Sequence, residues 1–396
     1  MQKPIPMKEY KVNSIHLEIT GKCNLKCKYC YNSQFNDECR FCDEMDTNTI
    51  KKLIDEAKEM GCKRFIFSGG EPFTRNDFFE ILSYCKDLKV EILTNSSLLT
   101  DEYIMRLKNM PQISEIKISL DGFESHDVTR IGSSHQQVIN TIKNLKKQGF
   151  KVVINTEVTA LSIKDFWNLY LLLKDLKIDR WRVDLPFILG RDKETYDQFK
   201  LPDFEVFINE VKKILIDYLK EKPSFEIELF NIFKSELTPD NNIEFDYETH
   251  PCAYREGSFP MRPNGDMIFC PSLDIPMANY VKEGNLRKTI QKKYTNKFYD
   301  IKIKDFSKCL NCRYINLCNT GCRVDALYYM GDCYAVDPVC CNLMPLIESE
   351  IVPILPIELR KFYESLISVQ KAYPDRYNID DLVLEKQKHF EDLTRS

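Results

Sequence analysis

The sequence has no apolar run of about 18 residues, the length that a membrane-spanning helix needs. Residues 1–13 also lack the apolar core of a secretory signal peptide. Both absences predict a cytoplasmic protein without a membrane partner. The 56 lysine and arginine residues are interspersed with 60 aspartate and glutamate residues and form no basic stripe, which argues against nucleic acid as a partner.

Cysteine is absent from residues 86–251, although the chain of 396 residues contains 16 cysteines. Seven of them lie at or before Cys85, and nine lie from Cys252 to Cys341. A chain of this length can build a sizeable core without disulfides, and clustered cysteines in a reducing cytoplasm favour metal binding. The simplest interpretation is two metal-bearing regions that are separated by a cysteine-free span.

The first half of the chain alternates strand-like and helix-like segments, which predicts parallel βαβ units. Asp46 and Asp101 stand where helix N-caps are expected, and Gly61 and Gly149 stand just past helix ends. Strands are predicted over 15–20, 64–68, 90–95, 115–121, 152–159 and 180–187, and helices over 46–60, 76–85, 101–108, 136–148, 164–176 and 202–221. Six units are too few for an eight-unit barrel. An α/β fold with a partial (β/α)6 TIM-type barrel fits, and a doubly wound sheet is the alternative.

The composition divides the chain into four predicted parts. Residues 1–225 form the barrel, and residues 226–251 form a polar linker. Residues 252–342 have few periodic segments and many Cys, Gly, Pro and Asn residues, so metal is expected to organise this region more than a hydrophobic core does. Residues 343–396 have the pattern of a charged helical tail.

Three cysteines follow the first predicted strand with the spacing Cys23-x3-Cys27-x2-Cys30. Barrels of this class carry their chemistry at the C-terminal ends of the strands, so the position suits a functional site. Three thiolates can hold three of the four irons of a [4Fe–4S] cluster and leave one iron open for a small molecule. The alternative is a zinc knuckle, whose fourth ligand Cys39 or Cys42 could supply; a redox pair or idle thiols are other roles for these two.

With Tyr29 directly before the last cysteine, this run resembles the signature of the radical S-adenosylmethionine (radical SAM) enzymes. The resemblance implies that SAM chelates the open iron and that one electron cleaves SAM to methionine and a 5′-deoxyadenosyl radical. That radical takes a hydrogen atom from an unactivated C–H bond. The protein's part is to orient the reactants and to exclude water.

A second element, Gly69-Gly70-Glu71-Pro72, follows the second predicted strand. Paired glycines let a ligand approach the backbone closely, and a glutamate can accept a charge-assisted hydrogen bond from an ammonium group. Alone, such a run is most often a turn. Beside the cysteine triad it resembles the motif with which radical SAM enzymes bind the amino group of the SAM methionine.

Polar residues end the next two predicted strands: Asn95 ends the third, Ser119 and Asp121 end the fourth, and Arg130 follows shortly after. Similar runs line the ribose and the carboxylate of SAM in the peptide-modifying branch of the family. The resemblance implies that Ser119 and Arg130 contact SAM. Asn95 and Asp121 are further candidates that alternatively only shape a strand end. Tyr29 either lies on the adenine side of the site or packs in the core.

The second cysteine region has a denser pattern, Cys252-x12-Gly265-x4-Cys270, then Cys309-x2-Cys312-x5-Cys318-x3-Cys322, then Cys340. In isolation, seven thiolates could form two zinc sites. Beside the triad, the pattern resembles the SPASM domain, a C-terminal extension with two auxiliary [4Fe–4S] clusters, which implies three clusters in all. One auxiliary cluster, the outer cluster, would take Cys309, Cys312, Cys318 and Cys340. The inner cluster, nearer the barrel, would take Cys252, Cys270 and Cys322.

The inner cluster has only three obvious ligands. Some members of the family add a cysteine shortly after the first one, but residues 253–258 of this chain contain no thiol. Either one iron is open or another residue closes it; Cys333 and Cys341 are candidates, with structural or incidental roles as the alternative. An open iron could bind substrate sulfur or nitrogen, whereas a closed cluster mostly passes electrons.

SPASM enzymes mostly modify peptides, so the resemblance implies an oxidoreductase that matures a ribosomal peptide (a RiPP) or a protein. The expected product is a thioether or carbon–carbon crosslink or an oxidised side chain. Expected partners are the substrate and an electron donor such as flavodoxin or ferredoxin. Because the first strand begins near residue 15, either a separate leader-recognition protein or the barrel itself would hold the peptide. Alternatives are a dehydrogenase or epimerase of a small molecule such as an aminoglycoside, and a non-enzymatic zinc-binding scaffold.

The catalytic base is less defined. The sulfatase-maturing branch has an aspartate directly after the cysteine that matches Cys270, whereas this chain has Pro271. This departure argues against formylglycine formation. Weak candidates for the deprotonating group are Asp266, Asp184, Glu157 and Tyr254, each of which is alternatively a surface or structural residue.

Overall fold

The computed structural model describes residues 11–32, 43–187, 196–197, 199–230, 232–235, 245–252, 257–273 and 275–383. Its main feature is an eleven-stranded sheet with the order β10-β9-β8-β7-β5-β4-β3-β1-β11-β12-β13. The strands of this sheet are β1 (Ser14–Glu18), β3 (Arg64–Ser68), β4 (Lys89–Thr94), β5 (Ile113–Ser119), β7 (Val152–Glu157), β8 (Arg180–Asp184), β9 (Glu226–Leu229), β10 (Phe233–Lys234), β11 (Ser258–Met261), β12 (Asp266–Ile268) and β13 (Pro276–Asn279). Two short strands, β2 (Lys26–Cys27) and β6 (Arg130–Ile131), pair separately as an antiparallel ladder.

The order of the strands distinguishes the two predicted architectures. The strands from β1 to β9 in the main sheet pair in parallel and follow one another in chain order. A doubly wound sheet would reverse its strand order at a switch point, and this order has no reversal. The fold is therefore the predicted open, partial barrel.

Two regions contribute more strands than the sequence predicted. The segment 226–251 was predicted to be a linker, but its first residues form β9, in which Ile227 and Leu229 are buried and pair with β8. The cysteine-rich region adds β11, which is parallel to β1, and then the antiparallel strands β12 and β13. Hydrophobic alternation over a few residues was too short a signal to predict these strands.

The helices lie close to the predicted ranges, and the N-terminus of one of them corrects an expectation. Asp46 caps the first helix by accepting a hydrogen bond from the backbone N–H of Thr49. The third helix is capped by Thr100 and not by Asp101, because the Thr100 hydroxyl accepts from the Tyr103 N–H and Asp101 is the first helical residue. The helices up to residue 221 are α1 (Thr47–Glu59), α2 (Phe78–Tyr84), α3 (Asp101–Lys108), α4 (Glu124–Thr129), α5 (His135–Lys147), α6 (Phe166–Leu176) and α7 (Phe204–Glu221).

The C-terminal part is helical, as predicted. A π-helical turn, Ile347–Ile351, follows the longest cysteine-bearing helix, which contains Pro345. The later helices are α8 (Tyr280–Glu283), α9 (Leu286–Lys293), α10 (Ser307–Leu310), α11 (Ile315–Cys318), α12 (Arg323–Met330), α13 (Pro338–Leu346) and α14 (Ile357–Leu366). In the parts of the chain that the structure describes, none of the helices has both the length and the apolar character needed to cross a membrane.

The two faces of the parallel strands differ in polarity. Ile116 and Ile118 of β5 are fully buried, whereas the alternating residue Lys117 is half-buried and forms an ion pair with Glu91 of β4 at 2.7 Å. Since side chains alternate across a strand, the apolar residues face the helices and the polar residues face the barrel interior. The interior is therefore polar and leads to the C-terminal ends of the strands.

Candidate active site

The cysteine triad lies on one loop that begins after β1. Cys27 lies in β2, whose pairing with β6 anchors the loop, and the Lys28 N–H donates to the carbonyl of Thr129 at 2.8 Å. The Cys30 N–H donates to the carbonyl of Cys27 at 3.3 Å, and the Leu25 N–H donates to the Cys23 sulfur at 3.4 Å. These bonds hold the three thiols on a short, fixed segment.

The two glycines of the Gly-Gly-Glu-Pro motif bring this loop against β3. The Gly70 N–H donates to the carbonyl of Thr20, and the Glu71 N–H donates to the carbonyl of Lys22, both at 2.8 Å. A Cβ on Gly70 would lie 2.1 Å from the Lys22 oxygen, and a Cβ on Gly69 would lie 2.4 Å from the Thr20 oxygen. The sequence predicted that a ligand approaches these glycines. On the side where a Cβ would point, the structure places the backbone that leads to Cys23.

Glu71 is fully buried beside the triad. Its carboxylate accepts hydrogen bonds from the Thr94 hydroxyl and the Asn95 N–H, both at 2.8 Å, and from the Phe73 N–H at 3.2 Å. Burial raises its pKa to about 7 in spite of these bonds. Since every partner here is neutral, a cation that bound next to Glu71 would stabilise the charged form.

A second buried group contains three of the predicted SAM contacts. Arg130 donates from Nε to one oxygen of Asp121 at 2.7 Å and from Nη2 to the other at 3.2 Å. The Tyr29 hydroxyl donates to Asp121, and the Arg130 guanidinium lies 5.2 Å from the centre of the Tyr29 ring. Burial alone would raise the pKa of Asp121, but the charge of Arg130 outweighs it and holds that pKa below its ordinary value. The sequence predicted these residues as separate contacts of SAM, whereas in the structure they form one network of buried side chains.

Two of the weak candidates for a catalytic base end neighbouring strands at the barrel mouth. Glu157 ends β7 and Asp184 ends β8, where Asp184 pairs with Arg182 at 3.0 Å. Burial, followed by the charges of Asp184 and Asp121, raises the pKa of Glu157 to about 8. Its Oε2 atom is buried, and no described residue offers it a hydrogen bond. These surroundings favour the protonated form of Glu157.

The shifted pKa of Glu157 predicts a pH dependence of stability. Between about pH 5 and pH 8 the folded chain keeps this proton while the unfolded chain has lost it, so stability falls as pH rises through this range. Glu157→Gln should remove this contribution to the pH dependence. The unfolding temperature of the variant should therefore rise relative to that of the parent protein as the pH approaches 8. The measurement is thermal unfolding at several pH values, with the exposed Glu124→Gln as control. Equal slopes in the Glu157→Gln variant and the parent would contradict the assignment.

A buried ion pair connects the triad loop to the cysteine-rich region. Arg262 donates from Nη1 to both oxygens of Glu18, at 2.5 and 2.6 Å, and to the Asn32 side chain at 2.8 Å. From Nη2 it donates to the carbonyl of Pro271 at 3.1 Å. Asn32 follows the triad and Pro271 follows Cys270, so one guanidinium joins the two ligand-bearing segments.

Removal of this guanidinium should be costly. Arg262→Met would leave the Glu18 carboxylate buried without its cation, which typically costs about 3–5 kcal/mol of unfolding free energy. The double variant with Glu18→Gln should recover much of that loss. The control is Arg64→Met, because Arg64 is 47% exposed and its partner Glu91 keeps the Lys117 ion pair, so a change of about 0–1 kcal/mol is expected. Equal losses in the two arginine variants, measured by denaturant unfolding, would contradict this role.

The four predicted ligands of the outer cluster line a single cavity of about 310 Å³. The Cys318 and Cys340 thiols are within hydrogen-bonding reach, and this contact, with burial, raises the pKa of Cys340. Burial raises the pKa of Cys309 to about 12. Four thiols around one hollow fit an iron–sulfur cluster, because four cysteine thiolates are the usual ligand set of a [4Fe–4S] cluster.

The predicted ligands of the inner cluster also lie together. Cys252, Cys270 and Cys322 belong to one apolar cluster around Phe269 and Leu273. Burial raises the pKa of Cys270 to about 12, and the Cys252 thiol adds to that shift. The three cysteine sulfurs are donors that suit an iron–sulfur cluster.

Asp337 joins the two auxiliary sites. One of its oxygens accepts from the N–H groups of Val339 and Cys340 at 2.9 and 3.0 Å, and the other accepts from the Cys322 N–H at 2.7 Å. Gly321 has a φ of 75° and a Cβ there would lie 2.5 Å from an Asp337 oxygen, so only glycine allows this approach. A single buried carboxyl group thus binds the backbone of one predicted ligand from each of the two auxiliary cysteine groups.

The remaining predicted site residues are outside the groups described above. Asp266 belongs to the β12 hairpin, where its two oxygens accept from the side chains of Asn264 and Asn279, both at 2.8 Å, so it closes a turn. Ser119 ends β5 at the barrel mouth. Tyr254, Cys39 and Cys42 lie outside the described residues. In the described part of the chain, no three Cys, His, Asp or Glu side chains are spaced to hold a single metal ion.

The residues that the sequence did not identify depend on contacts that only the folded chain creates. Arg262 and Glu18 are partners that lie far apart in the chain, and the role of Asp337 depends on a loop conformation. Asp337 had a usable signal, because an aspartate before Pro338 is typical of a helix N-cap. Arg262 had none.

Comparisons with known proteins place these geometries in context. Residues 17–173 match the radical SAM superfamily. Over 337 residues the chain is 28% identical to an AdoMet-dependent heme synthase of Nitratidesulfovibrio vulgaris, which covers 82% of this chain and 90% of that protein. Over 361 residues it is 25% identical to an Fe-coproporphyrin III synthase of Methanosarcina barkeri, with coverage of 81% and 86%.

A solved structure gives the same fold. Histidine-tagged anSMEcpe with bound AdoMet superposes with a TM-score of 0.67 over 90% of this chain and 98% of that chain, at 18% sequence identity. A likeness at this identity concerns the fold alone. The superfamily match, and not this likeness, supports a radical SAM domain in the chain.

Proposed function

We propose that this chain, with its radical SAM domain, is an oxidative enzyme that uses SAM and three [4Fe–4S] clusters to modify a peptide or protein side chain. The observation that carries the proposal is the triad loop at the C-terminal end of a parallel sheet, beside buried Glu71, with two more cysteine groups next to that sheet. The radical SAM match supports an enzyme over the zinc-scaffold alternative.

Each cysteine group would hold one cluster. Cys23, Cys27 and Cys30 would hold the SAM-binding cluster, and the outer and inner groups would hold the auxiliary clusters. When bound, these clusters supply the electron that cleaves SAM and take up the electron that substrate oxidation releases. An external donor such as flavodoxin or ferredoxin would reduce them.

The residues around the triad would bind and orient SAM. Glu71 would accept hydrogen bonds from the SAM ammonium group, since its present partners are neutral donors. The Asn95 amide lies between Asn24, at 3.0 Å, and the Cys23 sulfur, at 4.0 Å, so it can fix the loop next to the bound molecule. Arg130, held by Asp121, would offer its remaining donors to the SAM carboxylate or ribose.

The side chains at the barrel mouth favour a peptide over a substrate with several carboxylates. Asp121, Glu157 and Asp184 follow or end the neighbouring strands β5, β7 and β8. Arg130 and Arg182 each pair already with one of these carboxyl groups. A polyanionic substrate would meet little compensating positive charge here, whereas a peptide brings amide N–H donors that carboxyl oxygens accept.

An iron porphyrin is the second candidate substrate. Two relatives, a heme synthase and an Fe-coproporphyrin III synthase, favour it, and both matches cover most of either chain. The hydrogen abstraction would be the same, but the reacting carbon would belong to a porphyrin side chain.

Deuterium transfer separates the two substrates. The anaerobic enzyme is reduced in the presence of SAM and either a deuterated peptide, taken from a short reading frame next to its gene where one is present, or a deuterated iron porphyrin, and 5′-deoxyadenosine is analysed by mass spectrometry. Deuterium from the peptide alone would support the proposal. Deuterium from the porphyrin alone would replace the peptide with the second candidate, and transfer from neither would reject both.

A further inference from the structure

Five thiols, and not four, line the cavity of the outer cluster. Cys341 joins the four predicted ligands there. The sequence considered Cys341 as a closing ligand of the inner cluster, but in the structure it lines the same cavity as Cys309, Cys312 and Cys318 and packs in the apolar cluster that contains Cys309. It lies outside the apolar cluster that contains the inner cysteines.

The local fold explains why two consecutive cysteines face the same cavity. They lie in the first turn of α13, which Asp337 caps. The cavity is also lined by Asp337 and Met344, so the four residues 337, 340, 341 and 344 form one stripe along the side of the helix. Neighbouring residues of a helix point about 100° apart, and a stripe of this width holds both cysteines. Cys340 is 1% exposed, whereas Cys341 is half-buried.

We propose that Cys340 and Cys341 are interchangeable fourth ligands of the outer cluster, with either thiolate able to close its last iron. The inference rests on the proposed function, because it presumes that a cluster occupies this cavity. The exchange replaces one iron–thiolate bond with another, and the proton of the incoming thiol passes to the outgoing thiolate, so charge and redox state are conserved. Cys309, Cys312 and Cys318 hold the other irons in both arrangements.

The test measures iron content and the rate of iron release to a chelator under anaerobic conditions. The parent is the Cys23→Ala, Cys27→Ala, Cys30→Ala variant, which should hold only the two auxiliary clusters, about eight irons per chain. Four further variants are made in this parent: Cys340→Ala, Cys341→Ala, the double variant and Cys309→Ala. The Cys309→Ala variant is the control for a ligand that has no adjacent cysteine to replace it.

Each single variant at 340 or 341 should keep the parent's iron content and release rate. The double variant should release the outer iron at least about tenfold faster, as should Cys309→Ala. If Cys340→Ala alone is as labile as the double variant, or if the double variant is as stable as the parent, the interchange is wrong. A parent that holds no auxiliary iron would instead reject the clusters of the proposed function. EPR of the reduced outer cluster gives a second readout, since a change of ligand from Cys340 to Cys341 should shift its signal without abolishing it.

Discussion

Simultaneous replacement of Cys23, Cys27 and Cys30 by alanine is expected to abolish the formation of 5′-deoxyadenosine from SAM. The three thiols lie on the loop that Gly69 and Gly70 hold against β3, so their loss removes the ligands of the SAM-binding cluster. The two auxiliary groups lie on other segments and should keep their iron. Iron content should therefore fall from about twelve to about eight atoms per chain, and chromatography of dithionite-reduced reactions should detect no deoxyadenosine.

The matched control removes two thiols from the barrel that have no ligand role. Cys62 lies with its sulfur 3.3 Å from the carbonyl of Arg64, and Cys85 is fully buried behind α2. Cys62→Ala with Cys85→Ala should lower stability through lost packing, by about 1–3 kcal/mol per site, and should leave iron content and deoxyadenosine formation intact. Deoxyadenosine from the triad variant would place SAM cleavage elsewhere.

The alternation of strands and helices could be predicted because each element carries its own local pattern. Ile50, Leu53, Ile54 and Ala57 form the buried stripe of α1, and Gly61 just past its end has a φ of 90°. The partial barrel was predicted with a doubly wound sheet as its alternative, because strand order depends on pairings between distant segments, and the observed order decides for the barrel. Helix α4 was missed, since its six residues bury mainly polar side chains such as Ser125 and His126.

The site was predictable where spacing alone defines the chemistry. Thiol spacing identified the triad, and the structure places those cysteines on one loop beside Glu71. The electrostatic support was not predictable. Arg262 binds Glu18 across 244 positions of the chain, and Asp337 serves Cys322 only because Gly321 allows the approach. Such contacts follow from the folded topology and leave no short motif.

Gly70→Ala is expected to have the second large effect. The added methyl would lie 2.1 Å from the Lys22 oxygen, 2.5 Å from its carbonyl carbon and 2.9 Å from the Cys23 nitrogen. These are backbone atoms, which cannot rotate away, so the segment that carries Cys23 must move. A displacement of about 1 Å at a catalytic group can cost 10²-fold in rate. Deoxyadenosine formation should fall by at least about that factor, with loss of iron from the triad.

Gly149→Ala is the control, because it separates steric displacement from the general cost of replacing glycine. Gly149 has a φ of 86°, so alanine is strained there, but no atom lies within 4 Å of the added methyl. It should cost about 1 kcal/mol of stability and leave the iron content and the deoxyadenosine rate unchanged. Gly70→Ala should show the opposite pattern, with the auxiliary EPR signals retained and the SAM-dependent signal lost. If the two variants behave alike, the approach of β3 to the Cys23 loop does not position the triad, and Glu71 alone must account for the role of the motif.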